Sequence, residues 1–314
     1  MREITVRPIE LRDVDAANRI CNIAFGTFLN APDPERVFGE VNYFRSRVET
    51  PNAAGFVAER DGELVASNLL VRWGSVGYFG PLSVRPDLWD AGVGKLLLAP
   101  TMDTFTKWGV TLRGLYTFAQ SAKHVGLYGK HGYHPRFLTA VMGGRAQPEA
   151  APGQWVAWSE VPVSKRAGAI AGVRKLLDTL WPGLDVTDEF GVVEERKLGD
   201  TVLLGSADAP EGVAVCHTGP GTEAGSNVCY VKFGAVARGP GAAARFDRLL
   251  SAIEALAARR GVQFVSLGVN TEREQAYKAL LARGYKTRMQ GVIMHAPNVP
   301  GYNAPDAFVL DDWR

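Results

Sequence analysis

The chain has 314 residues, 46% hydrophobic and 22% charged, with 35 Lys and Arg against 33 Asp and Glu. That near balance gives no reason to expect the clustered basic surface of a nucleic-acid-binding protein, and no run approaches the ~20 apolar residues of a membrane span. The length fits about two domains of ordinary size. Cys21, Cys216 and Cys229 lack Cys-x-x-Cys spacing and the five histidines complete no ligand pattern, so reduced buried thiols, no disulfide framework and no metal are expected. The start, Met1 to Pro8, lacks a signal-peptide core, which predicts a cytoplasmic protein.

In chain order, Ile4 to Arg7 reads as a strand. A helix then runs from near Leu11 to Phe25, with Ala16, Ile20, Ile23 and Ala24 at helical spacing. Phe56–Glu59 and Leu64–Trp73 form a hairpin about Arg60–Glu63. A strand from Val76 to Val84 leads into a glycine-rich loop. The helix from Gly92 to Trp108 should turn Leu96, Leu97, Phe105 and Trp108 inward, with Pro100 kinking it. Leu112–Phe118 is a strand, Ala122–Lys130 a helix, and Phe137–Met142 a strand. Arg145 to Gln154, with Pro148, Pro152 and Gly153, reads as a linker.

The second half repeats the plan. Ser164–Trp181 is a helix, Thr201–Ser206 and Val213–Thr218 are strands, and Val228–Val236 leads into a second glycine-rich loop. The helix after Gly241 carries Phe246, Leu249, Leu250, Ile253 and Leu256 as an apolar stripe. Phe264–Val269, Arg273–Ala282 and Val292–Ala296 follow as strand, helix and strand. The tail, Val299–Arg314, packs across the other half or lies on the surface.

The loops read Trp89-Asp90-Ala91-Gly92-Val93-Gly94-Lys95 and Arg238-Gly239-Pro240-Gly241-Ala242-Ala243. Gly92 and Gly241 lie 149 residues apart, and the downstream pairs Gly132-Tyr133 and Gly284-Tyr285 lie 152 apart. Two landmarks repeating at nearly one interval argue for an internal duplication. The expected units are 1–145, a linker at 146–154, a second unit at 155–298, and the tail at 299–314. Neither loop fits a Rossmann fingerprint, because each follows several strands that read as antiparallel. A P-loop lacks its upstream glycine and its Ser or Thr.

With these residues in view, both halves resemble the GNAT superfamily of acyl-CoA-dependent N-acetyltransferases, and the whole chain resembles its tandem members. The family loop is Gln/Arg-x-x-Gly-x-Gly/Ala. The second copy fits through Arg238, Gly241 and Ala243; the first fits at Gly92 and Gly94 but has Trp89 in the first position. The resemblance implies an α/β fold with a mixed sheet in each half and acetyl-CoA as acyl donor, with no metal. Amides around Gly92, Val93, Gly94 and Lys95 would grip the diphosphate, and the pantetheine arm would lie along Leu82, Ser83 and Val84. Helix N-termini suit such anions; glycines serving packing alone are the plain alternative.

The family's later helix, Asn-x-x-Ala-x-x-Leu-Tyr-x-x-x-Gly-Phe, becomes Ser121-x-x-His124-x-x-Leu127-Tyr128-x-x-x-Gly132-Tyr133. The resemblance makes Tyr128 the general acid for the departing thiolate. Ser121 is expected to cap the helix and Asp90 to cap the helix after the loop or repel phosphate; His124, one turn from Tyr128 on the same face, is expected to be a surface or hydrogen-bonded structural residue, with a proton-relaying or tuning role as the alternative. The second half has Arg273, Ala276 and Leu280 at the corresponding places, with Tyr277 one turn early and Pro240 removing an amide from its loop. The first half is therefore expected to carry the chemistry: acetyl transfer to a primary amine, on a small molecule or a peptide, beside an interdomain groove. Asp33, Glu35 and Glu40 fall near the family's acceptor region. Two rival readings remain: a tandem enzyme like mycothiol synthase with the second half active, and a non-catalytic acyl-CoA-binding or scaffolding protein.

Overall fold

The computed structural model describes residues 3–147 and 154–314. Most of the linker expected at 146–154 lies outside these described residues. The first half runs β1 (Ile4–Pro8), α1 (Val14–Phe28), α2 (Tyr43–Arg47), β2 (Ala53–Arg60), β3 (Glu63–Trp73), β4 (Val76–Phe79), β5 (Ser83–Val84), α3 (Val93–Lys107), β6 (Leu112–Thr117), α4 (Ala122–Gly129) and β7 (His134–Arg145). The second runs β8 (Trp155–Ala157), α5 (Val163–Asp178), α6 (Asp188–Glu195), β9 (Gly199–Ser206), β10 (Ala209–Gly219), β11 (Gly225–Val236), α7 (Ala242–Arg259), β12 (Phe264–Asn270), α8 (Glu274–Ala282), β13 (Lys286–Ala296) and β14 (Val309–Leu310).

Both halves share one mixed sheet, in the order β1-β2-β3-β4-β6-β13-β7-β12-β11-β10-β9-β8. The parallel pairs β4–β6 and β11–β12 are equivalent in the two halves. Each half also lends a strand to the other. β13 lies between β6 and β7, and β7 lies between β13 and β12. The centre of the sheet is the antiparallel pair β7–β13, running from Lys286 opposite Gly143 to His295 opposite His134. A cut at residue 145 thus separates the halves in sequence but not in the ladder. Neither half can leave without breaking three ladders, β6–β13, β13–β7 and β7–β12, which costs buried backbone hydrogen bonds.

Local differences from expectation have simple causes. The strand expected over Val76–Val84 is interrupted at Gly80-Pro81. Its far end, β5, continues antiparallel along β3, opposite Ala66 and Ser67 with the register shifted by one residue. In α1 the buried stripe is Ala17, Ile20, Cys21 and Ala24, an i, i+3, i+4, i+7 set, with Ala16 turned to solvent. Leu96 is 44% exposed rather than inward, and Leu97, Leu98 and Phe105 form the buried face of α3. That helix continues through Pro100. All five stripe residues of α7 are buried, each worth about 1.5–3 kcal/mol of burial. The three cysteines are buried and free.

The segment 299–314 is not a surface tail. Its strand β14 pairs with the end of β11, Leu310 opposite Gly234 and Val309 opposite Ala235. Beyond it, two glycines make room. A Cβ on Gly268 of β12 would meet Asp312 Cβ at 2.3 Å, and one on Gly114 of β6 would meet the Trp313 ring at 1.8 Å. The segment therefore threads the second half and ends against the first.

Candidate active site

The two loops have the same backbone. Gly92 precedes α3 at φ 81°, ψ 3°, and Gly241 precedes α7 at φ 79°, ψ 5°. This left-handed conformation favours glycine. In the first loop Lys95 N–H donates to Gly92 O, while the amides of Gly92, Val93 and Gly94 donate to no acceptor among the described residues. They are the orphan donors of a helix N-terminus.

These amides open onto a cavity of about 700 Å³. Lys95, Lys123 and Lys130 line it, with Asp90 as the single lining carboxylate. Asp90 does not cap the helix; it pairs with Lys123 at 2.7 Å, bridging the loop to the first turn of α4. Leu82 and Val84 line the cavity, whereas the Ser83 side chain is buried away from it. Alternation along the β3–β5 ladder turns the Val84 amide away from β3. The Trp89 indole, standing at the family's Gln/Arg position, donates to the Val84 carbonyl at 2.8 Å and so ties loop to strand.

A second cavity, of about 440 Å³, lies between the halves. Five residues line both: Phe25, Leu82, Phe118, His124 and Tyr128. Tyr128 packs against Phe79 with ring centroids 5.6 Å apart, and its hydroxyl makes no hydrogen bond among the described residues. Burial raises its phenol above the ordinary value, so it holds its proton. Ser121 caps α4, accepting from His124 N–H at 3.4 Å.

His124 differs from expectation. Its side chain is half-buried, and its ring makes no hydrogen bond among the described residues. Its ring packs against Phe28 and Phe118, and its Nδ1 is buried without a partner. Burial and then the Lys123 charge lower its pKa, keeping it neutral at pH 7. The signal was present in the sequence as a histidine where the family has alanine. Asp33, Glu35 and Glu40 line neither cavity; they face Arg36, Arg19 and Ser226.

The second half has the loop but not the open gap. β11 pairs with β12 only over Val228–Val231, and the space beyond is filled by the segment 308–312. Arg273, at the place of Ser121, holds that segment in position. It donates to the Val309 carbonyl at 2.9 Å and pairs with Asp311 at 2.8 Å, fully buried. Arg238 pairs with Asp306, and Arg245 folds over the loop, donating to the carbonyls of Ala237, Arg238 and Pro240. Ala243 is exposed in the first turn of α7. Leu280 is buried, and Tyr277 packs against the core of its own half.

Sequence reasoning missed the floor of the interdomain cavity. Arg47 of α2 pairs with Glu223 at 2.7 Å, and Lys232 pairs with Glu223 and Glu189 at 3.1 Å each. Glu189 also accepts from Asn52 and the Trp73 indole. Burial pushes the Glu223 carboxyl upward, but Arg47 and Lys232 outweigh it and hold it well below its usual range. Among the described residues, no group of three or more His, Cys, Asp or Glu is placed to hold a metal ion. No helix there is long and apolar enough to cross a membrane.

The comparisons agree with this geometry. The acetyltransferase (GNAT) family pattern matches residues 18–133. No curated protein matches the chain. Among solved structures, an acetyltransferase from Pyrococcus horikoshii, described as putative, aligns over 98% of this chain and 94% of its own, at TM-score 0.68 and 13% identity. A tandem GNAT protein from the clavulanic acid biosynthesis pathway aligns over 94% and 98%, at TM-score 0.58 and 14% identity. A GCN5-related N-acetyltransferase from Sphaerobacter thermophilus aligns over 93% and 95%, at TM-score 0.57 and 16% identity. At such identities the likeness is one of fold. The first half of the chain thus carries the sequence pattern of the acetyltransferase (GNAT) family over residues 18–133, and the chain as a whole takes the fold of tandem GNAT proteins.

Proposed function

We propose that the first half transfers an acetyl group from acetyl-CoA to a primary amine bound between the halves, and that the second half supports the site without binding a donor. The carrying observation is the junction of the two cavities. One has free helix-terminal amides and three lysines, which suit a polyphosphate. The other lies between the halves and is largely apolar, and Tyr128 and His124 stand in the shared wall.

In this reading the free amides of Gly92, Val93 and Gly94, with the Lys95 side chain beside them, hold the diphosphate, and Leu82 and Val84 guide the pantetheine arm. The amine nitrogen attacks the thioester carbonyl carbon and forms the C–N bond. The His124 imidazole takes the proton that the nitrogen sheds. The C–S bond then breaks, and Tyr128 gives its proton to the departing thiolate. The filled gap beside the second loop disfavours the rival in which the second half is the active one.

Tyr128→Phe tests the acid. Removing a positioned general acid costs on the order of 100-fold in kcat, and the dissociation constant for acetyl-CoA should change less than about twofold, since the hydroxyl makes no contact with the loop. The assay is thiol release with an amine acceptor. An unchanged kcat would remove Tyr128 from the mechanism.

A further inference from the structure

The wall of the interdomain cavity says what kind of amine it takes. Phe25, Phe38, Tyr116, Phe118 and Trp313 face it, and its volume of about 440 Å³ suits a compact small molecule. Its charged lining residues are Glu223 and Arg314. Neither is available to balance a cation. Glu223 Oε1 already accepts from Ser46 Oγ, Arg47 Nε and Lys232 Nζ, and Oε2 from Arg47 Nη2. Arg314 is paired with Asp312 at 2.9 Å.

Cations of the protein itself already cover neighbouring tyrosine faces. Arg47 lies over the rings of Tyr43 and Tyr78, at 5.2 and 5.7 Å, and Arg314 lies over Tyr230 at 4.6 Å. A second cation entering there would meet the Arg314 guanidinium, with the Glu223 carboxylate already engaged. An unpaired charge in such a site is strongly disfavoured. The one amine that must enter reacts as the neutral base, and His124 in the wall takes the proton its nitrogen sheds as the C–N bond forms.

From this we infer that the acceptor is a primary monoamine on a compact, apolar body of aromatic size, and that polyamines and lysine-like acceptors are excluded. The inference rests on reading this cavity as the acceptor site.

The test is calorimetry on the full chain saturated with CoA, titrated with 2-phenylethylamine and with spermidine. Binding of 2-phenylethylamine should be tighter by on the order of 30-fold. Val37→Glu, which adds a carboxylate to the half-buried cavity wall, should narrow or reverse that ratio. Spermidine binding as tightly as 2-phenylethylamine to the CoA-loaded wild type would overturn the inference while leaving the acetyl-CoA reading intact. A chain that takes up no CoA in the saturating step would overturn that reading, and this inference with it.

Discussion

Gly94→Asp should weaken acetyl-CoA binding by on the order of 100-fold or more, while Ala243→Asp, its counterpart in the second loop, should change it less than about twofold. The argument is electrostatic. A carboxylate ~4 Å from a phosphate repels it by about 4 kcal/mol at the effective dielectric of a protein surface, and each 1.4 kcal/mol is tenfold in affinity. Unfolding does not confuse the result. A Cβ on Gly94 would sit 3.5 Å from Leu82, an ordinary contact. Asp in the first turn of a helix also stabilises it. The asymmetry between the two variants is the informative part, because the loops are alike in backbone and differ in what lies beside them. Calorimetric titration of both variants with acetyl-CoA provides the check.

Arg47→Met should destabilise the protein by about 3–5 kcal/mol, the usual cost of stranding a buried charge. Arg47 and Glu223 have side chains 1% and 0% exposed. With Lys232 and Glu189 they form a neutral quartet, so removing Arg47 alone leaves one uncompensated negative charge. Removing Glu223 as well restores the balance, and Arg47→Met with Glu223→Gln should therefore be more stable than Arg47→Met alone. Urea denaturation of wild type, both single variants and the double variant measures the coupling. Equal stabilities of the Arg47→Met and wild-type proteins would mean that the quartet does not hold the halves together. Because Arg47 also donates to the carbonyls of Gly80 and Arg314, both at the acceptor cavity, the same variant should lower kcat/KM.

Much of this architecture is legible in the residues. The glycine loops and Gly-Tyr pairs announced two copies because left-handed turns and helix starts need particular residue types at fixed offsets. Tyr128 lies on α4 and lines both cavities, whereas the repeat has Leu280 at its place. Other features leave no such mark. The exchange of β7 and β13 is invisible because a strand's burial pattern is the same whichever neighbour it pairs with. The Arg47–Glu223 pair joins residues 176 apart, and neither looks unlike a solvated charge in sequence. The segment 299–314 has no counterpart in the first half, so the repeat says nothing of it. Yet it decides which loop faces an open cavity. Arg273 carried a faint signal: a long cation where the first half has the capping Ser121, and its partner Asp311 lies in that segment.

The central claim is that one of the two matching loops has kept an open donor site and the other has been filled by the chain itself. Native mass spectrometry of the full chain titrated with CoA tests it most directly. The prediction is one CoA per chain at saturation, retained in Ala243→Asp and lost in Gly94→Asp. Two CoA per chain, or a single one that survives Gly94→Asp and disappears with Ala243→Asp, would contradict it.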